Sequence, residues 1–411
     1  MSKKQKSFLR VPYCLAVYGK EEISAVNRVL ANPVQLAPGH HVALFEKRIA
    51  KLFGKDHGVM VNSGSSANLM AVELLDLPAG AEVITPALTF ATTVAPILQK
   101  RLAPVFTDVE EGSYVMNVDQ IESVITPRTK AIMFPLLIGN VPDMEKIARI
   151  AKKHDLKIIE DSCDTLGATF DGKPTGAYSD ISTTSFYASH IITAGGAGGM
   201  VMVHDNDMAR RALVMSRWGR DSALFGAYDA SEDLKKRFSA EIDGIPYDAK
   251  FVFSEIGYNF QPTEASAAFG LEQLKKLRTF AAYRNRVFKD LVRFFRSYED
   301  LFILPRTDAR VKTSWMTFPL TLRSSSPFTR RDITTYLEER NIQTRPLFAG
   351  NVTRQPAYRA AINKTKIPKI GFPVADHVMR HSFLIGCHQG LQREHLDHLK
   401  DAFTSFLHTY R

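Results

Sequence analysis

The apolar run Lys157-Ile158-Ile159-Glu160-Asp161-Ser162-Cys163-Asp164 ends in acids, and it decides the fold. Its first part, Lys157–Glu160, is typical of a strand that is buried on both faces of a parallel sheet. Ligands of such sheets bind at the carboxyl ends of the strands, which is where Asp161 stands. The alternative is a pair of solvated acids in a loop. Burial just after an apolar strand argues against that alternative, because an isolated buried carboxylate is costly.

Around this run, helical segments alternate with short β-rich segments from about Val42 to Val203. The predicted helices are Val42–Phe53, Ala67–Leu75, Thr92–Gln99 and Met144–His154. The predicted strands are Gly58–Asn62, Glu82–Thr85, Ala103–Val109, Ala131–Pro135, Lys157–Glu160, Ile181–Phe186 and Gly199–Val203. This alternation predicts an α/β fold with a mostly parallel central sheet and helices on both faces.

The pattern changes after the last of these strands. A helix, a polar loop and one or two further helices are predicted over Asp205–Trp218, Arg220–Asp248 and Gln261–Phe295. Beyond about Leu301, strand-like and helical runs are mixed, as in Thr317–Leu322, Arg330–Arg340 and Glu394–His408. We therefore predict a large domain over residues 1–300, including an N-terminal arm, and a smaller C-terminal α+β domain over residues 301–411.

The composition favours a soluble protein with a small anionic ligand. Of 411 residues, 45% are hydrophobic and 23% are charged, which is usual for a globular chain. The formal charge is +10, but the basic residues are scattered, so an anionic small molecule is a better partner than nucleic acid. The sequence shows neither a bilayer-spanning apolar run nor a signal-peptide pattern. We expect a cytoplasmic protein that binds neither nucleic acid nor membrane.

The three cysteines, Cys14, Cys163 and Cys387, lie far apart, and no Cys-x-x-Cys pair occurs. This spacing disfavours a disulfide framework, a zinc site and a four-cysteine iron–sulfur site. We predict three reduced thiols and no metal.

A second candidate site is Val61-Asn62-Ser63-Gly64-Ser65-Ser66-Ala67-Asn68, where a predicted strand ends, a turn of small residues follows and a helix begins. Backbone N–H groups at a helix N-terminus, together with two hydroxyls, suit one phosphate group. The alternative is an ordinary serine N-cap, which is the commoner meaning of such a stretch taken alone.

A third candidate site runs from Thr184 to Gly199 and contains Ser185-Phe186-Tyr187-Ala188-Ser189-His190 followed by the glycine-rich stretch Gly195–Gly199. Glycines allow the backbone to approach a ligand closely and supply positive φ angles. The alternative is a flexible loop with an incidental histidine, since a single histidine is more often structural than catalytic.

These three segments, in this order and spacing, resemble the DegT/DnrJ/EryC1/StrS family of sugar-modifying enzymes. Further matching stretches are Thr85–Phe90, Pro104–Val109 and Gly257–Phe260, and the resemblance runs from about Tyr18 to Leu391. It implies the aspartate-aminotransferase fold, known as fold type I, and pyridoxal 5′-phosphate (PLP) as the cofactor. It also implies a homodimer with shared active sites.

The resemblance assigns roles by position. The residues that it implies for the cofactor phosphate are Gly64, Ser65, Ser66 and Ser185. The residues that it implies for the cofactor ring are Phe90 as the stacking aromatic, Asp161 at the ring nitrogen and Asp164 near the ring hydroxyl, where many relatives have glutamine. Asn259 matches a residue that relatives donate to the cofactor phosphate of the neighbouring subunit.

One position departs from most of the family. Its aminotransferases read roughly Ser-Phe-x-x-x-Lys and bind PLP covalently through the lysine, whereas this chain has His190 there. No lysine lies between Lys173 and Lys235, so a shifted alignment cannot supply one. Imidazole forms no stable imine, but it transfers protons near neutral pH. The same change marks one branch of the family, the sugar 3-dehydratases.

That branch has two kinds. One carries a cysteine-ligated 2Fe–2S cluster, and the other, which acts on GDP-4-keto-6-deoxymannose, has no cluster and uses glutamate. The chain keeps the surroundings typical of the branch at Trp218–Asp221 and Leu347–Asn351. No cysteine lies between Cys163 and Cys387, so an iron–sulfur cluster is not expected.

We therefore expect a lyase that uses PLP and pyridoxamine 5′-phosphate (PMP) to remove the 3-hydroxyl of a nucleotide-linked 4-keto-6-deoxyhexose. The resemblance implies a role in deoxysugar and O-antigen (lipopolysaccharide) biosynthesis, with L-glutamate as the amino donor and ammonia as a product. His190 would serve first as the base and then as the acid.

Arg220, Arg345 and Arg354 are candidates for binding the glutamate carboxylate or the diphosphate, because the planar guanidinium fork suits both anions. For each of them an ordinary ion pair is the alternative. Two other functions stay open. An aminotransferase without the usual lysine would give an amino sugar and no ammonia, and a non-catalytic PLP-binding regulatory protein would give no turnover.

Overall fold

The computed structural model describes residues 9–362 and 367–410. Its central sheet has seven strands in the order β1-β9-β8-β5-β4-β2-β3. Those strands are β1 His57–Val61, β2 Glu82–Pro86, β3 Ala103–Thr107, β4 Thr129–Pro135, β5 Lys157–Asp161, β8 Ile181–Ser185 and β9 Gly199–Val203. Each matches a strand predicted from the sequence to within about two residues at either end, as the ambiguity of element ends allows.

The central sheet is mostly parallel, as predicted. Strands β2, β3, β4, β5 and β8 are joined by parallel pairings, and only β9 runs antiparallel to its neighbours β1 and β8. The pairing of Asp161 with Thr183 brings the ends of β5 and β8 to one edge of the sheet. That edge is where ligands bind in folds of this kind.

Helices cover both faces of this sheet. Ile159 packs among the residues of α3 (Gly64–Leu74) and α6 (Asn206–Ser216) on one face, while its neighbour Ile158 packs with α5 (Met144–Lys153) on the other. Successive side chains of a strand point to opposite faces, and here both faces are buried. This is why the strands read as continuous apolar runs rather than as alternating ones.

The remaining helices include several that the sequence did not predict. Among the described residues, all of the remaining α-helices are α1 Lys20–Leu30, α2 His40–Leu52, α4 Ala91–Gln99, α7 Leu234–Arg237, α8 Glu264–Phe295, α9 Arg330–Glu338, α10 Pro356–Ala361, α11 Pro373–His381 and α12 Arg393–Leu407. Of these, α1, α7, α10 and α11 have no counterpart among the predicted helices. The prediction of one or two helices after residue 260 resolves into a single helix of 32 residues, α8. Its last turns, with Leu291 and Phe295, pack in the hydrophobic core formed by the C-terminal residues.

The other strands form three smaller sheets. A four-stranded antiparallel sheet has the order β12-β14-β16-β15, from Phe302–Ile303, Phe318–Leu322, Ser382–Ile385 and Arg345–Pro346 respectively. The short strands β6 Thr169–Phe170, β7 Lys173–Pro174 and β13 Val311–Lys312 form another sheet. The mixed character after residue 301 agrees with the α+β pattern expected there. The domain boundary itself stays a prediction.

The segment 220–248, predicted as a polar loop, contains the helix α7 and a hairpin of β10 (Ala240–Ile242) and β11 (Ile245–Tyr247). Each hairpin strand has three residues, which is too short to show a period in the sequence. Within the described part of the chain, no helix combines the length and the apolar character that crossing a membrane requires.

Candidate active site

Asp161 is the last residue of β5, and its carboxylate is buried and held on several sides. The Asn68 amide and the Thr93 hydroxyl donate to Asp161 Oδ2 at 2.7 and 2.8 Å. The backbone N–H of Cys163 donates to the other oxygen at 3.2 Å. Thr183 in turn donates to the Asn68 carbonyl at 2.6 Å. The charge is therefore fixed in position before any ligand binds.

The start of α3 forms a second wall. Ser63 caps the helix, since its hydroxyl accepts from Ser66 N at 3.1 Å. A Cβ atom on Gly64 would lie 2.7 Å from both Cys163 Sγ and Ser185 Cβ, so only glycine fits between these neighbours. Ser65 lines the cavity beside Gly64. The Ser66 hydroxyl instead donates to Asn62 at 2.6 Å.

The loop after β8 carries His190. Its backbone turns at Gly195, Gly196 and Gly198, whose φ angles of 74°, 106° and 135° are the positive values expected from the sequence. The His190 N–H donates to the Tyr187 carbonyl at 3.0 Å. This local turn directs the imidazole toward the same cavity that Asp161 lines.

The His190 imidazole is held in its neutral form. Burial is the main reason why its pKa falls to about 4, and the nearby Arg284 cation lowers it further. Its Nδ1 atom is buried and has no hydrogen-bond partner among the described residues. At neutral pH the imidazole is therefore in the unprotonated state that a general base requires.

Asp164 is the second acid of the cavity. Its Oδ2 accepts from the backbone N–H of Ile138 at 2.9 Å. Burial, and then the neighbouring Asp161 charge, raise the pKa of Asp164 to about 7. This carboxyl therefore exchanges a proton near neutral pH.

The cavity that joins these walls has a volume of about 470 Å³. The predicted residues that line it are Gly64, Ser65, Phe90, Asp161, Asp164, Ser185, His190 and Arg345. Phe90 is half-exposed and contacts Phe348 edge-to-face, with 5.6 Å between the ring centroids. The structure thus brings together predicted residues from five separate segments of the chain.

Four predicted residues lie outside this cavity. Ser66 points to Asn62, and Arg354 forms an ion pair with Asp376 at 2.5 Å beside a different pocket. Arg220 lines a third pocket, where its guanidinium lies 4.3 Å over the Trp218 ring. Asn259 is exposed and pairs through the backbone with Arg217.

Several residues that build the cavity were not singled out from the sequence. They are Tyr13, Asn68, Thr93, Cys163, Met316 and Phe348. Asn68 and Thr93 sit in the first turns of helices that follow strand ends, a position that could have identified them. Tyr13 gives no such signal, because it reaches the cavity only through the path of the N-terminal arm.

The architecture is fold type I, the aspartate-aminotransferase fold, with the cavity at the carboxyl edge of the mostly parallel sheet. The chain belongs to the DegT/DnrJ/EryC1/StrS aminotransferase family, whose model matches residues 17–404. Both findings confirm what the three sequence motifs predicted.

Individual relatives are similar over nearly the whole chain. The chain is 37% identical to dTDP-4-dehydro-2,6-dideoxy-D-glucose 3-dehydratase of Saccharopolyspora spinosa, over 91% of its own length and 82% of the relative's. It is 36% identical to lipopolysaccharide biosynthesis protein RfbH of Salmonella typhimurium, over 90% of its own length and 86% of the relative's. A crystal structure of GDP-4-keto-6-deoxymannose-3-dehydratase with a trapped PLP–glutamate geminal diamine matches with a TM-score of 0.82 and 25% identity, over 96% of this chain and 100% of that one.

Proposed function

We propose that the protein is a PLP-dependent lyase that removes the 3-hydroxyl of a nucleotide-linked 4-keto-6-deoxyhexose. The observation that carries the proposal is the neutral imidazole of His190 in a family cavity, at the position where an aminotransferase has its lysine. The named relatives support it, since two of them are sugar 3-dehydratases. The similarity to a lipopolysaccharide biosynthesis protein supports a place in deoxysugar and O-antigen synthesis.

The cavity residues fit PLP. A phosphate group can bind at the start of α3, beside Gly64, Ser65 and the hydroxyl of Ser185. Any residue larger than Gly64 would clash with Cys163 and Ser185 there. Asp161 offers a fixed negative charge for a protonated ring nitrogen. Phe90 offers an aromatic face at the rim. When bound, PLP supplies an electron sink for the pair of electrons released as a neighbouring bond breaks.

His190 performs the proton transfers in this proposal. As a neutral base it accepts a proton at a ring nitrogen, and as the resulting imidazolium it returns that proton to the departing 3-hydroxyl. The leaving group thus departs as water rather than as hydroxide. Because imidazole cannot hold the cofactor covalently, Asp161 and the start of α3 carry its binding. Because these other residues bind the cofactor, His190 is available for proton transfer.

We propose L-glutamate as the amino and electron donor, from which the bound cofactor would take the amino group, with 2-oxoglutarate and ammonia formed alongside the deoxygenated sugar. The trapped PLP–glutamate adduct in the similar structure supports this donor. Arg345 is the predicted arginine that lines the cavity, and we propose that it binds the carboxylate or the diphosphate. Arg220 and Arg354 stay candidates of the same kind, although Arg354 already pairs with Asp376.

We also propose a homodimer in which each copy donates Asn259 to the other's cavity. Asn259 is exposed and lies outside the cavity of its own chain. The backbone around Asn259 pairs with Arg217, and the Trp218 N–H donates to the Tyr258 carbonyl. Phe253 and Ile256, a few residues earlier in the chain, are 58% and 95% exposed. Co-expression of His190→Asn and Asn259→Ala chains tests it. Each mixed dimer should contain one intact and one doubly altered site, so activity returns, whereas independent sites would give none.

The proposed function is tested by incubating the protein with PLP, L-glutamate and, in turn, the GDP-, dTDP- and CDP-linked 4-keto-6-deoxyhexoses. Ammonia with a product lighter by one oxygen supports the lyase and identifies the nucleotide. An amino sugar without ammonia would make the protein an aminotransferase. Neither product with any nucleotide, but tight PLP binding, would favour a regulatory protein without turnover.

An iron–sulfur cluster is not part of this proposal, because residues 164–386 contain no cysteine. Iron and acid-labile sulfide should be absent from the active protein, and activity should need no reductase. A stoichiometric iron content that turnover requires would contradict this. We further propose a cytoplasmic location. We also propose a domain boundary between residues 300 and 301, which limited proteolysis can test directly.

A further inference from the structure

Arg284 is a buried cation behind His190. It lies on α8, is 1% exposed and is among the largest fully buried side chains of the described residues. Burial lowers its pKa to about 10, and no carboxylate in the described part of the chain pairs with it. A buried charge without a counterion is costly, so its hydrogen bonds must matter to the fold or to the site.

Three backbone carbonyl groups from separate segments accept from this guanidinium. Arg284 Nη1 donates to the carbonyls of Met316 and Cys387 at 2.8 and 3.1 Å. Nη2 donates to the carbonyl of His190 at 3.4 Å. Met316 precedes β14 and lines the cavity, and Cys387 follows β16. The planar fork therefore joins the His190 loop to the four-stranded sheet.

Two glutamines hold the next residues of the same loop. Gln389 Nε2 donates to the Ile191 carbonyl at 3.3 Å, and Thr193 N donates to Gln273 Oε1 at 3.5 Å. Gln389 follows β16, so a second bond connects this loop to the four-stranded sheet. The imidazole Nδ1 has no partner among the described residues, and the ring otherwise interacts with the backbone of Cys163 and Ser185, so its position depends in part on where its own main chain is held.

We propose that Arg284 is a positioning residue, which fixes the main chain of His190 against the four-stranded sheet and so sets where the imidazole meets the substrate. The inference rests on the proposed role of His190. It predicts that the packing of the four-stranded sheet, and not only the local turn at Tyr187, determines the geometry of the base. The guanidinium serves this role better than a single point charge, because its two terminal nitrogens reach three carbonyl groups at once.

The test compares Arg284→Gln, Arg284→Lys and Arg286→Gln in the full-length protein with PLP bound. Arg286 is the matched control on the same helix, where its guanidinium lies 4.4 Å over the Tyr283 ring. The first measurement is the half-reaction with L-glutamate, which is monitored by the cofactor spectrum and needs no sugar. For this half-reaction, kcat denotes the limiting rate and KM the half-saturating glutamate concentration. The second is hydrogen exchange of residues 190–194, with thermal unfolding to confirm that each variant folds.

For Arg284→Gln, kcat should fall by about 100-fold while KM for glutamate stays near the wild-type value, as expected when a reacting group is misplaced by about 1 Å. Exchange should rise in residues 190–194 alone, Arg284→Lys should recover part of the rate, and Arg286→Gln should match the wild type. A raised KM with unchanged kcat, or exchange like that of the wild type, would overturn the proposal. If the wild type shows no half-reaction, the proposed function fails, and the exchange data alone decide the role of Arg284.

Discussion

Asp161 and His190 face one cavity but are built in opposite ways. Asp161 stands at the end of a buried strand, and its oxygens accept from Asn68, Thr93 and the Cys163 N–H. His190 stands on a glycine-rich loop, and its Nδ1 has no partner among the described residues. The Asp161 carboxylate is therefore held by its neighbours, whereas Nδ1 of His190 can still form a hydrogen bond with a ligand.

Under the proposed function, this contrast explains how a family site changes its chemistry on an unchanged fold. A fixed charge that binds a ring nitrogen must not move, so it belongs on the sheet. A base that serves two atoms in turn must keep a free ring nitrogen. In the proposed function, the histidine at the family's lysine position lies on the loop, whereas Asp161 lies on the sheet edge. The predictions below separate these two regions experimentally.

The largest effect is expected when the base is removed. His190→Asn should lower kcat for sugar dehydration by about 10²- to 10⁴-fold, the usual contribution of a general acid–base group. PLP affinity should stay near that of the wild type, because the sheet edge is unchanged. Equilibrium dialysis and steady-state rates measure the two quantities. His204→Asn, at an exposed histidine paired with Asp56, is the control. A large loss of PLP affinity would show that the two regions are not separate.

Asp161→Asn should differ from His190→Asn by lowering PLP affinity as well as turnover. Turnover should fall by roughly 100-fold, as when one fixed electrostatic contact is removed, and PLP should bind more weakly. The new amide would also place a donor against Asn68 or Thr93, which should destabilise the fold by about 1–3 kcal/mol. PLP titration and urea unfolding check both effects. Wild-type PLP affinity in this variant would remove Asp161 from the cofactor site.

Gly64→Ala tests the close approach at the start of α3. The added Cβ would meet Cys163 Sγ and Ser185 Cβ at 2.7 Å, so we expect a loss of about 1–3 kcal/mol in unfolding free energy. PLP affinity should fall with it, since Ser185 would have to move. Gly19→Ala is the control, because the nearest atom there belongs to the flexible Glu21 side chain. Equal losses of unfolding free energy and PLP affinity in the two variants would mean that the packing around Gly64 tolerates an added methyl group.

A smaller effect concerns pH. The pKa of Asp164 is raised from 3.8 to about 7, so the folded state keeps a proton that the unfolded chain has lost. Its contribution to stability is fully present below pH 3.8 and is lost as the pH rises through about 7. Asp164→Asn should therefore flatten the decline of unfolding free energy across this range in the cofactor-free protein. Chemical denaturation at several pH values measures this, and a decline like that of the wild type would contradict the shift.

The sequence predicted the parts of this molecule that depend on local pattern. The strand ends at Val61 and Asp161 lie where apolar runs stop, and a shared sheet edge brings them together with Ser185 at the end of β8. The helix α1 was missed because only Glu22, Ala25 and Val29 of it are buried, which leaves a weak apolar stripe.

Contacts that depend on the tertiary path of the chain could not be predicted in the same way. Tyr13 and Phe348 line the cavity from opposite ends of the sequence, and no local pattern indicates that they meet. Arg284 looks like one of many cations on a long helix until the carbonyl groups around it are known. The displacement of Arg354 from the cavity follows from its pairing with Asp376, a contact between residues 22 positions apart.

The central claim is that histidine in place of lysine makes this protein a dehydratase. The most direct measurement compares the ratio of ammonia to amino sugar formed by the wild type and by His190→Lys, with the same sugar, PLP and L-glutamate. The account predicts ammonia equal to the dehydrated sugar in the wild type and a shift toward amino sugar in the variant, since lysine can capture the cofactor. A His190→Lys variant that still only dehydrates would contradict it.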